Sequence, residues 1–498
     1  MKFFKKTTNQ NTKENNNLLT KNIKDNIEQI KKHMSETEDL IIKEIIHNDQ
    51  KPVLLYIEPL VNKELLHSFI IEPMLESNSE DIVRNIKSYE MKNTSDISNI
   101  CNGILDGFCI ILKENCNNAI LAAVLGNQER SIQEPENEQN IQGPREGFVE
   151  SISTNIQLLR KRVKSRYLKV KYFTIGNYTG TKVAMLYIDN LANRTIIEEV
   201  EERITSIEVD QLLSTGNLEE MIEDNPFTPF PQVLNTERPD RAVSYLMEGK
   251  INLIVDGNPT VSILPTTFFS FYQAPDDYNS RWLIGSFFRI IRVISFFITI
   301  SLPAIYIAIV SFHSEVLPIG ILYSIRVSLE FVPFLPLIEA FTMQIILELL
   351  KEAAIRLPSP IAQTIGIVGG LVIGTAIVEA NLVSNTMIVV IGFTAIASFG
   401  TPVNQMGTSA RLLGFPTMIA ASVFGFFGIV FTLMIIFMHL CKLESFGTPF
   451  LSPLAPLKIM DLKDTFFRLP IWKLITRPAN ARPRRIVQQS YSRVWKKK

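Results

Sequence analysis

The spacing of apolar residues changes character near Phe287. Before it, short apolar runs alternate with charged stretches; after it, apolar residues dominate. In the first part, SETEDLIIKEII puts Leu40, Ile41, Glu44 and Ile45 at helical spacing behind Ser35 and Glu38, a capping-box pattern that predicts a helix. PVLLYI (52–57) predicts a buried strand, 63–71 and 81–89 predict helices, and 100–112 gives two apolar runs divided by Asp106-Gly107. With a further strand at 119–125, these elements make a small α/β subdomain over 35–130. Residues 1–34, rich in Lys and Asn, are expected to be a disordered lead-in. The polar, acidic stretch 131–144 predicts a linker. A second α/β subdomain, 145–285, follows from a helix at 148–161, a strand pair at 169–175 and 182–188, and helices at 195–209 and 212–222. It ends in a hairpin turning on Asp256-Gly257-Asn258-Pro259.

From 286 to 445 the pattern predicts a membrane domain. The run beginning FFRIIRVISFF exceeds the ~20 apolar residues needed to cross the hydrocarbon core. Arg289 and Arg292 at its start place that end in the cytoplasm. Further candidate spans are 316–350, 361–380, 383–399 and 410–441. The first of these contains Pro318, Pro333 and Pro336 together with Glu330, Glu339 and Glu348, a composition foreign to a lipid-facing helix. Two cytoplasmic ends require an even number of spans, so one of the five candidates must be re-entrant, interfacial or split, and 316–350 is the expected one. The fold class is therefore an α/β cytoplasmic region of two small subdomains followed by an all-α polytopic membrane domain, with a basic cytoplasmic tail at 446–498.

Charge sharpens this division. From Phe466 onward there are ten Lys or Arg and no acid, while 286–464 balances nine against nine. Since the chain sums to zero, the part before it carries −10. An acidic domain lacks the basic surface that nucleic acid requires. The basic tail suits a membrane flank. MKFFKK is followed by polar residues rather than an apolar stretch, so no secretory signal is expected. Cys101, Cys109, Cys116 and Cys441 form no CxxC pair and are expected to pack rather than bridge.

The chemistry-bearing patterns are sparse. No phosphate-loop, dinucleotide or nucleophile-elbow motif occurs, and the five histidines are scattered, so neither a catalytic site nor a metal or cofactor is expected. Asp276-Asp277, following a proline, reads as a capped or solvated turn rather than an acid/base pair. Gly366, Gly370 and Gly374 share one helix face, either for close helix packing or for conduction and gating. Glu330, Glu339 and Glu348 are candidates for an ion pathway or gate; helical spacing pairs Glu348 with Lys351 and Glu352 with Arg356, and an interfacial amphipathic helix is the alternative. The stretch 226–292 joins the soluble and apolar parts. Its Glu237, Arg238, Asp240, Asp256 and Arg281 are candidate coupling residues, with a structural ion-pair and capping cluster as the competing expectation for Glu237, Arg238 and Asp240.

Several stretches together resemble the A subunit of the GerA-type germinant receptors of endospore-forming bacteria: GPREGFVESISTNIQLLRKR (143–162), PFPQVLNTERPDRAVSYLMEGKINLIVDGNP (229–259), LPTTFFSFYQAPDDYNSRW (264–282), LEFVPFLPLIEA (329–340), ELLKEAAIRLPSPI (348–361), TIGIVGGLVIGTAIVEA (364–380) and TAIASFGTP (394–402). The resemblance runs from about 40 to 472 and departs at Asn381, where the family has glycine. It implies a multi-pass protein of the spore inner membrane, with its N-terminal region and tail in the spore core. It also implies partners: a permease-like B subunit that binds the nutrient, a lipoprotein C subunit, and further copies of the same chain in a ring, with a pentamer as the expected count. The activity implied is nutrient-gated ion release. A secondary transporter working by alternating access is the alternative, against which stands the lack of visible inverted repeats.

Overall fold

In the computed structural model, the described residues are 18–46, 51–76, 86–125, 134–358 apart from 136 and 141, 370, 372, 374–490, 492, 493 and 495. The N-terminal part contains two five-stranded sheets, each fully antiparallel and each sandwiched between helices. In the first, β1 (Leu40–Glu44), β2 (Val53–Ile57), β3 (Met91–Thr94), β4 (Phe108–Leu112) and β5 (Ala119–Ala123) lie in the order β1-β2-β4-β5-β3. Helices α1 (Ile23–His33) and α4 (Ile97–Leu105) cover one face. The other face is covered by α2 (Lys63–Leu66), which runs through a π turn into α3 (Glu72–Glu76).

The second sheet repeats this plan. Strands β6 (Leu168–Ile175), β7 (Thr181–Ile188), β8 (Leu234–Thr236), β9 (Ile251–Val255) and β10 (Val261–Leu264) lie in the order β6-β7-β9-β10-β8. Helices α5 (Ile152–Arg162) and α8 (Pro239–Met247) pack on one face, and α6 (Arg194–Thr205) and α7 (Thr215–Ile222) on the other.

Several sequence expectations change here. The residues expected to form a helix at 40–45 form β1, because Leu40 and Ile42 face one core and Ile41 and Ile45 the other, a period-two burial satisfied by pairing with β2. Of the lead-in expected to be disordered, 18–34 is ordered. Asn22 caps α1, and Ile30 is buried in the first core with Ile23 and Ile27 against it. Residues 86–89 carry no helix, and the rest of the helix expected at 81–89 lies outside the described residues. Cys101 and Cys109 are buried free thiols, whereas Cys116 and Cys441 are exposed.

The short α9 (Asp276–Asn279) leads into α10 (Trp282–Ser311), then α11 (Ile319–Glu330), α12 (Pro336–Arg356), α13 (Asn385–Phe399), α14 (Asn404–Phe424) and α15 (Phe426–Lys442). Among the described residues α10 alone has both the length and the apolarity to cross a bilayer; α13 and α15 are apolar but shorter. The stretch 316–350 breaks between α11 and α12, as its prolines predict. The apolar run 410–441 is not one helix but a hairpin. Gly425 turns it at φ +61° and ψ −137°, a conformation reserved for glycine, and a Cβ on Gly428 would stand 2.0 Å from the Ala420 carbonyl oxygen. Gly425 lies against His313 at the far end of α10, while Ser409 and His439 lie beside the joint. Thus α10 and α14 run away from the soluble part and α15 returns to it.

Candidate coupling site at the membrane junction

The chain approaches the C-terminal helices through PFTPF (226–230), whose prolines deny it regular hydrogen bonding. Helices fix it instead. Ser409 of α14 donates to the Pro229 carbonyl oxygen, the Thr228 hydroxyl and His439 Nε2 of α15 lie 2.7 Å apart, and Phe230 stacks on His439 at 6.2 Å. Beyond β10, Phe268, Phe269, Phe271 and Tyr272 form an aromatic core with Phe296 of α10 and Phe450 and Phe466 of the tail.

A buried charge cluster sits beneath this core. Asp277, 1% exposed, receives Arg292 Nη1 on both carboxylate oxygens at 2.7 and 2.8 Å and Arg289 Nε at 3.2 Å. Arg289 also reaches Asp464 in the tail, Nη1 donating at 2.8 Å to its carboxylate and at 2.7 Å to its carbonyl. Tyr278 donates its hydroxyl to Asp464 at 2.8 Å, and Arg468 donates to the carbonyls of Asp277 and Ser280. Burial pushes the Asp464 carboxyl above the usual range while Arg289 pulls it down. Of the capped or solvated turn expected at Asp276-Asp277, the cap is present, the Ala274 N–H donating to Asp277 at 3.2 Å, but Asp277 is not solvated: it is the centre of a network that joins the N-terminal part, α10 and the tail. Arg289 and Arg292, taken as cytoplasmic markers, are neutralised in the folded chain. The signal missed was a spacing of carboxylates and guanidinium groups far apart in sequence.

A second layer of ion pairs lies alongside. Arg238, 1% exposed, grips Asp240 through Nε and Nη2 at 3.1 and 2.9 Å and donates to the carbonyls of Glu138 and Pro144. Arg241 pairs with Glu138 at 2.7 Å, and Glu237 accepts from Asn137 at 2.6 Å. The stretch expected to be a plain linker is thus stitched, where described, onto the joint. Asp256 accepts from the backbone N–H of Ile152 at the start of α5, at 3.1 Å, and Arg281 is the exposed N-cap residue of α10. Two adjoining cavities of about 200 and 300 Å³ share Ser244, Glu248 and Tyr278. Burial raises Glu248 to about 7, against the pull of Lys250 at 3.7 Å, whose own value burial lowers.

The candidates in the C-terminal helices separate. Glu339 is buried and accepts from the Ser384 N–H at 3.0 Å; Glu330 is exposed and lines a groove of about 550 Å³ with Arg326. Glu348 pairs with Arg411 of α14 at 2.6 Å, not with Lys351, which instead reaches Ser398 at 3.2 Å; Glu352 pairs with Arg356 as expected. The structure places the three glutamates in three different surroundings. A Cβ on Gly370 or Gly374 meets nothing within 4 Å, so among the described residues no helix packs there; Gly366 lies outside the described residues. Among the described residues no group of three His, Cys, Asp or Glu gathers for a metal.

Comparison with known proteins gives a consistent result. A family model described as Bacillus/Clostridium GerA spore germination protein matches residues 28–480, beginning within α1, earlier than the quoted motifs reach. Spore germination protein KA of Bacillus subtilis (strain 168) is 38% identical over 480 residues, covering 94% of this chain and 88% of that protein. Spore germination protein B1 of the same organism is 36% identical over 480 residues, covering 95% and 99%. Spore germination protein GerLA of Bacillus cereus is 36% identical over 470 residues, covering 92% and 96%. Among solved structures, the crystal structure of the N-terminal domain of the A subunit of the Bacillus megaterium spore germinant receptor GerK3 aligns with a TM-score of 0.40 and 25% identity, over 50% of this chain and 97% of that one.

Proposed function

We propose, since the chain belongs to the GerA family of spore germination proteins, that it is the A subunit of a nutrient germinant receptor and converts germinant binding elsewhere in the receptor into ion release across the spore's inner membrane. The observation that carries this reading is the cluster on Asp277. Three parts of the chain that must move together in a transducer meet in one buried network, Asp277 held by Arg289 and Arg292, and Arg289 held in turn by Asp464. A buried network that ties three parts of one chain together carries a displacement of one part to the others.

The membrane part supports several passes. Helices α12 and α13 both run toward the joint, since Glu348 meets Arg411 and Lys351 meets Ser398 at that side, while Glu339 meets Ser384 at the other. In this reading the chain between them, part of it outside the described residues, returns across the membrane, which gives six passes and an even count. Partner B and C subunits, a ring of copies, and an ion path along 326–380 with Glu330, Glu339 and Glu348 as its polar lining complete the proposal; carboxylates at membrane depth favour such a role.

The test is germinant-triggered cation release from spores. Arg292→Gln, at the partly exposed rim of the cluster, is expected to lower release about tenfold or more while the protein stays at normal abundance in the membrane. Gln at each of 330, 339 and 348 is expected to alter the rate or ion preference. Unchanged release in all four variants overturns the reading.

A further inference from the structure

The tail, expected to be a basic membrane flank, is held along the N-terminal part and the first turns of α10. Arg468 bonds Ser286 Oγ through both its backbone N–H and its carbonyl, each at 3.1 Å, and Leu454, Ala455 and Phe466 pack into the aromatic core. What this segment turns outward is unusual for a surface in water. Leu457, Ile459, Met460, Phe467 and Ile471 are exposed, Ile459 by 74% and Met460 by 72%. Large apolar side chains gathered on one surface mark a partner or a membrane.

Three observations choose the membrane. The patch continues onto α10, where Trp282, Leu283 and Phe287 are exposed at the level of Ser286. Its cations gather on tryptophan, Lys473 standing 5.2 Å from the Trp472 ring and Arg493 5.4 Å from Trp472 and 5.1 Å from Trp495, and within 457–475 Lys458, Lys463, Arg468 and Lys473 outnumber Asp461 and Asp464. Tryptophan with lysine and arginine is the composition of the headgroup layer. Finally, no acid follows Asp464, while ten Lys or Arg do.

We propose that residues 457–475 form an interfacial element seated in an anionic leaflet, its apolar side chains at the acyl boundary and its cations among the lipid phosphates. This rests on the reading that α10 crosses the membrane. Asp464, which anchors Arg289, lies inside this segment, so lipid charge bears directly on the coupling cluster.

The chain has three tryptophans, at 282, 472 and 495, which allows each reading its own reporter. Full-length chain is placed in bilayer discs carrying brominated acyl chains, made either of phosphatidylcholine or with about one-third phosphatidylglycerol. One version keeps Trp282 alone and another Trp472 alone, the others changed to Phe. Trp282 is expected to be quenched in both lipids. Trp472 is expected to be quenched about twofold more strongly with the anionic lipid, the excess vanishing near 1 M salt, where the screening length is about 3 Å. Ile459→Ser with Met460→Ser, both at exposed positions, is expected to reduce Trp472 quenching by about half with thermal unfolding unchanged. Trp282 quenched with Trp472 unquenched overturns the interfacial element alone. Trp472 shielded from both bromine and aqueous iodide indicates a protein cover and also overturns it. Equal quenching in the two lipids overturns the anionic leaflet. Trp282 unquenched overturns the reading of α10 as well.

Discussion

Asp277 holds two guanidinium groups out of water, and a buried charge that loses its partner costs about 3–5 kcal/mol. Asp277→Asn is therefore expected to lower the stability of the detergent-solubilised chain by that order, read as a fall in thermal midpoint. Glu219 makes a different case. It is buried on α7, accepts from Ser262 at 2.9 Å, and burial raises its carboxyl from 4.5 to about 7. A raised value means that the folded state binds the proton more tightly than the unfolded one. Stability from this group is thus complete below about 4.5 and is lost as pH rises to about 7. Glu219→Gln is expected to flatten the stability profile across that window and to add on the order of 2–3 kcal/mol at pH 8, measured by urea unfolding followed by circular dichroism. At this scale the sequence was partly legible. Arg238 and Asp240 sit two residues apart and form the ion pair that proximity favours, whereas Asp277 and Asp464 are separated by nearly the whole membrane part, and no local pattern pairs them.

Elements were legible where periodicity had one solution. The hairpin on Asp256-Gly257, the strand pair β6–β7 and the proline break before α12 all follow the residues that dictate them. The run LII in β1 did not, because three consecutive apolar residues fit a helix stripe or a strand buried on both faces, and the neighbouring β2 decides between them. The α14–α15 hairpin was hidden for a related reason. An apolar run long enough for one span gives no sign that it turns, apart from Gly425 and Gly428. Gly425→Val is expected to cost about 1–3 kcal/mol through its backbone alone, and more through the clash with His313. The check is protease access at the hairpin and the thermal midpoint in detergent.

Across the whole molecule the two soluble units share one topology, strand order 1-2-4-5-3 in each, although no repeat is visible along the sequence. They are clasped by Arg160, which pairs with Asp39 at 2.6 and 2.7 Å and reaches Thr37 at 3.0 Å, all three side chains buried. Arg160→Met strands Asp39 and is expected to loosen the units by about 3–5 kcal/mol, seen as faster proteolysis between 124 and 148 with the membrane helices intact. Double replacement with Asp39→Leu is expected to restore much of the loss, since an apolar pair of similar volume is tolerated. The cluster on Asp277 also has a consequence in time. Arg289 and Arg292 leave the ribosome well before Asp464, which is 175 residues further on than Arg289. Until then Arg289 has Asp277, 12 residues before it, as its carboxylate partner. Once the helices that follow have folded and the tail has come back, Asp464 joins Arg289 as a second carboxylate. Arg289 thus acts as a latch that closes only on a chain synthesised as far as its tail.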